Sequence, residues 1–156
     1  MHMGLPGAWN MFGNGHPVYQ LLLVSKMIDR ETASALQREF SLSLPEWRIL
    51  AFVCALGSNS ASDIGNAAQI DRAEISRAVA KLEAKKMVTR KGEGNNRKRL
   101  IISPTAEGHD LFARVFERRG EYSRSILKDI SQQEVDSLSG ILEKIAIVIK
   151  AGDKGA

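Results

Sequence analysis

The sequence predicts a mainly α-helical chain carrying one small β-hairpin. Apolar residues recur at three- and four-residue steps through most of it, which is the rhythm of helices with one buried face. The break in that rhythm, at residues 87–102, is a pair of β-prone runs around a Gly/Asn-rich turn. A Ser or Asp also stands three residues before an acid at Ser43/Glu46, Ser60/Asp63, Asp71/Glu74 and Ser131/Glu134, the spacing at which side chains satisfy the orphan N–H groups of a new helix.

Taken in order, residues 1–17 hold four glycines and two prolines with Trp9, Phe12 and His16, follow no period, and read as an arm. From Val18 to Phe40 no Gly or Pro intervenes, and Leu22, Met27, Ile28, Leu36 and Phe40 mark one long helix. Ser43 and Glu46 open the next, with Trp47, Leu50, Ala51 and Cys54 on its inward stripe and an end near Gly57. Ser60 and Asp63 open a short helix that turns Ile64 and Ala67 inward. Asp71 and Glu74 open a third, with Ile75, Ala78, Val79 and Leu82 inward. Met87 to Arg90 and Leu100 to Ile102 are the hairpin strands, and Gly92 to Asn96 is their turn. Ser103 before Pro104 reads as a helix start, because Pro in the first turn has no N–H to leave unsatisfied. That helix carries Leu111, Phe112, Val115, Phe116, Tyr122 and Ile126; the last, after Ser131, carries Val135, Leu138, Leu142, Ile145 and Ile149.

The 156 residues, 44% hydrophobic and 26% charged, suit one domain or one domain with a dimerisation element, and exclude a wholly disordered chain. No apolar run approaches the roughly 18 residues of a spanning helix, and residues 1–10 lack a cationic stretch followed by an apolar core, so a cytoplasmic protein without membrane contact is expected. One cysteine excludes an intrachain disulfide, and three histidines leave a Cys/His zinc site short of ligands. With no phosphate-binding glycine loop, nucleophile elbow or ligand cluster, neither an enzyme nor a cofactor is expected.

The charge is uneven. From Lys85 to Arg99 seven cations face the single Glu93, a net +6 in a chain whose total is +4. Such a block on an otherwise acidic protein suits a polyanion. Two short helices joined by a tight turn and followed directly by a hairpin make a winged helix-turn-helix, whose second helix enters the DNA major groove. Opposite Ile75 that helix presents Ala73, Arg77, Ala80 and Ala84, flanked by Arg72, Ser76 and Lys81. Small residues let it sit deep; Arg77 suits guanine, Ser76 a base edge or phosphate, and Glu74 the cytosine amino group. Ser60 and Ser62 are candidates for the DNA backbone or for simple helix caps, and Arg90, Arg97, Lys98 and Arg99 are the wing cations.

Three stretches resemble the MarR family of transcriptional regulators. Residues Leu42 to Leu50 are similar to the opening of its second helix, Ile75 to Val79 with Leu82-Glu83 to its recognition helix, and Thr105-Ala106-Glu107-Gly108 to its exit from the wing, with matching order and spacing from Val18 to Lys150. The chain departs from that pattern at the wing tip, where Asn96-Arg97-Lys98 replaces Asp-x-Arg, at Lys86, where a glycine commonly ends the recognition helix and its absence implies a less settled turn, and at Pro104 in place of leucine.

The resulting expectation is a winged helix-turn-helix at 42–103, flanked by long dimerisation helices at 18–41 and 104–150, with an arm at 1–17 and a disordered tail at 151–156. The outer helices have more apolar positions than the central unit can cover, which points to a homodimer reading a two-fold operator in double-stranded DNA. The resemblance implies a small aromatic effector, for which Trp9, Phe12, His16, Tyr19, Trp47 and Arg48 are the candidate lining. Cys54 reads as a buried core thiol and His109 as an exposed histidine. The competing reading is a protein-interaction module on a winged-helix scaffold that no longer binds DNA.

Overall fold

A computed structural model describes residues 5–12, 16–68, 70–93 and 96–152, without the side chains of 93 and 96–99. The chain forms two compact units, the first ending at Val115 and the second beginning at Phe116. The elements are α1 (Pro17–Phe40), α2 (Leu44–Leu56), β1 (Asn59–Ser60), α3 (Ala61–Ala68), α4 (Arg72–Ala84), β2 (Val88–Glu93), β3 (Asn96–Pro104), α5 (Ala106–Ile126) and α6 (Gln132–Gly152).

Pro17 fills the first position of α1, where its missing N–H costs nothing. The helix ends at Ser41, whose left-handed φ of 53° turns the chain toward α2. Only Thr32, Ala35 and Leu36 of α1 are buried, whereas Val18, Leu22, Val24, Met27 and Ile28 are exposed. In α2 the capping box forms as expected, with Ser43 N–H donating to Glu46 Oε2 at 2.7 Å and Glu46 N–H to Ser43 Oγ at 3.4 Å. The buried stripe, however, is Glu46, Ile49, Leu50 and Val53, one residue behind the expected Trp47, Leu50, Ala51 and Cys54. Because α2 is apolar almost all round, its sequence offers several stripes, and packing against its neighbours selects one.

The sheet is larger than a hairpin. Strand β1, only two residues long, pairs antiparallel with β3 through Asn59 with Ile102 and Ser60 with Ile101, giving the order β1-β3-β2. Two residues carry no period that a sequence could display. Helix α3 turns Ala61, Ile64 and Ala68 toward the core, while the expected Ala67 is exposed. Helix α4 matches expectation: Asp71 caps it by accepting from Ala73 N–H at 2.7 Å and Glu74 N–H at 3.2 Å, and Ile75, Ala78, Val79 and Leu82 are buried.

The end of α4 closes without glycine. Lys86 takes a φ of 60°, its N–H donates to the Glu83 carbonyl, and Met87 N–H reaches back to the Leu82 carbonyl, both at 2.9 Å. These are the two bonds of a Schellman turn, so the turn is formed, with a side chain in a conformation that favours Gly. Strand β2 then pairs with β3 from Val88 with Pro104 up to Gly92 with Leu100, and the register shifts between Gly92 and Glu93. Pro104 therefore ends a strand, and helix α5 starts two residues later than expected. Its first turn is capped by Thr105, whose hydroxyl accepts from Gly108 N–H at 3.0 Å and donates to the Lys86 carbonyl at 2.7 Å. Gly108 sits so close to this turn that a Cβ there would lie 2.1 Å from the Met87 carbonyl oxygen.

The second unit opens with the rest of α5, and the Ser131/Glu134 capping box starts α6, with Ser131 N–H donating to Glu134 Oε2 at 2.9 Å. No residue of α6 is buried; Leu138, Ile141, Leu142, Ile147, Val148 and Ile149 are all exposed. The helix continues through Gly152, so residues 151 and 152 are not tail, and 153–156 lie outside the described residues.

A carboxylate lies inside the first unit. Glu46 is 2% exposed, and its Oε1 accepts from Lys85 Nζ at 2.7 Å, while the same ammonium donates to the Ser41 carbonyl at 2.7 Å. Burial alone pushes the Glu46 carboxyl upward, but the hydrogen bonds from Lys85 and Ser43 and the Lys85 charge hold it below the ordinary range.

These contacts predict three stability effects. Gly108→Ala must displace the Met87 carbonyl, and urea unfolding should show a loss of about 3 kcal/mol. Lys86→Gly removes the left-handed strain but loosens the unfolded chain, and the same assay should show a net gain of up to about 1 kcal/mol. A depressed carboxyl contributes its stability above the unfolded pKa and loses it as pH falls through the folded one. Unfolding measured from about pH 7 to about pH 3 should therefore show an acid-side loss that Glu46→Gln flattens.

Candidate nucleic-acid interface

The buried stripe of α4 fixes what its other face presents. With Ile75, Ala78, Val79 and Leu82 inward, the residues Arg72, Ala73, Ser76, Arg77, Ala80, Lys81 and Ala84 are all exposed, and Glu74 is half-buried. Arg77 and Lys81 make no hydrogen bond or ion pair among the described residues, so both cations are available to a ligand. Alanines between them keep the helix surface low, which allows close approach to a groove floor.

Beside this face lies a cleft of about 710 Å³ between α3, α4 and the sheet, to which Ser60, Ser62, Arg72, Ser76 and Arg90 all contribute. Five of the expected contact residues are thus brought together around an apolar floor that includes Ile75, Val79 and Ile102. Their states differ. Ser62 is exposed, but Ser60 is only 4% exposed, and its hydroxyl donates to Asp63 Oδ2 at 2.6 Å while accepting from Asp63 N–H at 3.2 Å. The geometry of Ser60 is that of a helix cap.

Arg90 is also engaged. Its Nε donates to Glu83 Oε2 at 2.8 Å and its Nη2 to the same oxygen, tying β2 to the last turn of α4. The Arg90 hydrogen bond holds the Glu83 carboxyl below its ordinary range, with the Arg90 charge adding to the effect. Residue spacing gives Glu46 only as a helix cap and Glu83 only as part of a family motif, and their ion pairs are missed because each meets its cation across the end of an element, where neither helical nor strand spacing applies. Two of the seven cations in the basic run, Lys85 and Arg90, are therefore paired within the chain. The backbone of β3 carries residues 97–99, but the side chains of Arg97, Lys98 and Arg99 lie outside the described set.

The expected effector lining separates into groups. Phe12 packs edge-on against Tyr19 with centroids 4.7 Å apart and lies 5.5 Å from His16. Trp9 is half-buried in the turn before α1, its N–H donating to the Pro6 carbonyl at 2.8 Å. Trp47 stacks on Phe112 at 5.8 Å. Arg48, read from the sequence as the cation of an aromatic site, donates instead through Nη2 to both oxygens of Asp29, at 2.9 and 3.1 Å, which offsets its charge. Cys54 packs at the core margin with Sγ 3.9 Å from the Gly108 carbonyl, and burial pushes its thiol up to about 11, so it is held as the unreactive thiol. His109 is exposed. No helix among the described residues is long and apolar enough to cross a membrane.

Known proteins share this arrangement. The family model described as MarR family matches residues 40–99, the stretch from the end of α1 into the second strand of the wing. The HTH-type transcriptional regulator PecS of Dickeya dadantii (strain 3937) is 33% identical over 128 residues, which are 78% of this chain and 75% of that protein. Among solved structures, a MarR/EmrR family transcriptional regulator from Acinetobacter sp. ADP1 superposes with a TM-score of 0.78 at 24% identity, covering 87% of this chain and 96% of that one. A putative MarR family regulator from Listeria monocytogenes, solved in complex with 26mer DNA, gives a TM-score of 0.77 at 21% identity over 85% and 87% of the two chains. With its mainly helical frame, its three-stranded winged sheet and these relatives, the chain belongs to the MarR family of transcriptional regulators, which are not enzymes.

Proposed function

We propose that this regulator is a homodimeric, sequence-specific DNA-binding protein that acts as a repressor by occupying a two-fold operator. The observation that carries the reading is the exposed face of α4, where Arg77 and Lys81 stand among alanines without a partner among the described residues, while the opposite face is buried. An unpaired Arg on a low helix surface suits the bidentate reading of a guanine edge. Ser76, Arg72 and Ser62 along the cleft suit phosphates, as do the wing cations Arg97, Lys98 and Arg99. The uncovered apolar residues of α1 and α6 support dimerisation, since isolated helices with such faces need a partner. A DNA partner supports a cytoplasmic location.

The aromatic group of Phe12, His16 and Tyr19 supports a small aromatic effector near the start of α1. With Arg48 already paired to Asp29, such a ligand has to bind without that cation or displace its carboxylate.

The test is fluorescence anisotropy with duplex DNA from upstream of the protein's own coding sequence and with a scrambled duplex, across salt concentrations. Arg77→Ala should reduce the preference for the specific duplex by about 1–3 kcal/mol. Arg97→Ala should weaken both duplexes alike and lower the slope of log K against log salt by about 0.9. Equal losses on both duplexes for both variants would defeat this division of roles, and absence of binding at low salt would favour the protein-interaction module. Sedimentation should give twice the mass of the chain.

A further inference from the structure

We propose that Glu83 and Arg90 form a braced phosphate clamp, in which Glu83 is a positioning residue that holds the Arg90 guanidinium ready for a DNA phosphate. The inference rests on the DNA-binding reading above and adds a residue and a mechanism to it. Glu83 lies in the last turn of α4, where the helix dipole disfavours a carboxylate, so its place there calls for a compensating partner. Arg90 supplies it from β2, with Nε donating at 2.8 Å and Nη2 donating to the same oxygen. Nε and Nη2 lie along one side of the planar guanidinium. The other edge, formed by Nη1 and the second Nη2 proton, makes no hydrogen bond among the described residues.

That remaining edge is a fork of the kind that matches two phosphate oxygens. The Arg90 side chain is 34% exposed and lines the cleft together with Arg72, Ser62 and Ser76, so a phosphate at the cleft can reach it. A free arginine loses rotamer freedom when it grips a phosphate, whereas one already held by Glu83 has lost that freedom before DNA arrives. The same pair fastens the base of the wing to α4, so the clamp also sets the distance between the two elements that meet the duplex.

The test is a double-mutant cycle in the same anisotropy assay, with full-length wild type, Glu83→Gln, Arg90→Gln, the double variant and Arg90→Lys at several salt concentrations. Arg90→Gln should lower the salt slope by about 0.9, and Arg90→Lys should keep the slope, because it keeps the charge. Glu83→Gln should weaken binding about three- to fivefold when Arg90 is present, and not at all when residue 90 is Gln. An unchanged slope for Arg90→Gln would overturn the clamp. So would an equal effect of Glu83→Gln in both backgrounds, or tighter binding only when Arg90 is present, which would make Glu83 a competitor of phosphate. Wild type that fails to bind any duplex overturns the DNA-binding reading and the clamp with it; wild type that binds without coupling overturns the clamp alone.

Discussion

The buried carboxylate of Glu46 fastens three helix ends together. One oxygen closes the first turn of α2 on Ser43, the other takes the ammonium of Lys85 just past the end of α4, and that ammonium continues to the Ser41 carbonyl where α1 stops. A carboxylate this deep is tolerated only because both oxygens are satisfied and a cation is within reach. Each contact therefore depends on the others. If α4 moves, Glu46 loses its cation; if α1 and α2 separate, Lys85 loses a carbonyl. The orientation of α4, whose Arg77 and Lys81 are exposed to solvent, is fixed from the protein interior by a polar group and not by the apolar core alone.

Immediately beyond this node the chain reverses, and a second set of contacts takes over. Lys86 turns left-handed, the Lys86 and Met87 carbonyls both point to Thr105, and Thr105 in turn caps α5 beside Gly108. Thr105 N–H also donates to the Met87 carbonyl, at 3.1 Å. The resemblance of Thr105 to Gly108 to the family's wing exit thus has a physical content: a threonine to bridge two carbonyls and cap a helix, and a glycine because no side chain fits there. The end of α4, the base of the wing and the start of α5 meet in one place.

Much of this was legible from residue types and spacing. The four capping pairs each locate a helix start because the cap is a local interaction, contained within four residues. The buried face of α4 is legible because its polar and apolar residues alternate cleanly at helical spacing. Where the pattern is ambiguous, reading fails for a stated reason: α2 is apolar on nearly every side, and β1 is too short to show alternation. The start of α5 is misread at Pro104 because Pro is tolerated at the end of β3, beyond the two residues that pair with β1, as well as in the first turn of a helix, and only the bond from Thr105 to the preceding turn decides between them. Ion pairs that span elements, Glu46 with Lys85 and Glu83 with Arg90, are invisible to any local rule.

That last omission changes how the charge should be understood. The run from Lys85 to Arg99 looks in sequence like one electrostatic feature, but its members do different work. Lys85 is directed inward to Glu46, and Arg90 is held by Glu83, so the field of each is offset within the chain. Lys86, Lys91, Arg97, Lys98 and Arg99 remain as the rest of the run. Outside the run, Arg77 and Lys81 on α4 have no carboxylate partner among the described residues. Among the described side chains, the cations without a carboxylate partner therefore include Arg77 and Lys81 on the outward face of α4 and Lys86 and Lys91 on either side of the start of β2. Counting charge along the sequence locates the right region, but which cations are free depends on what the fold pairs them with.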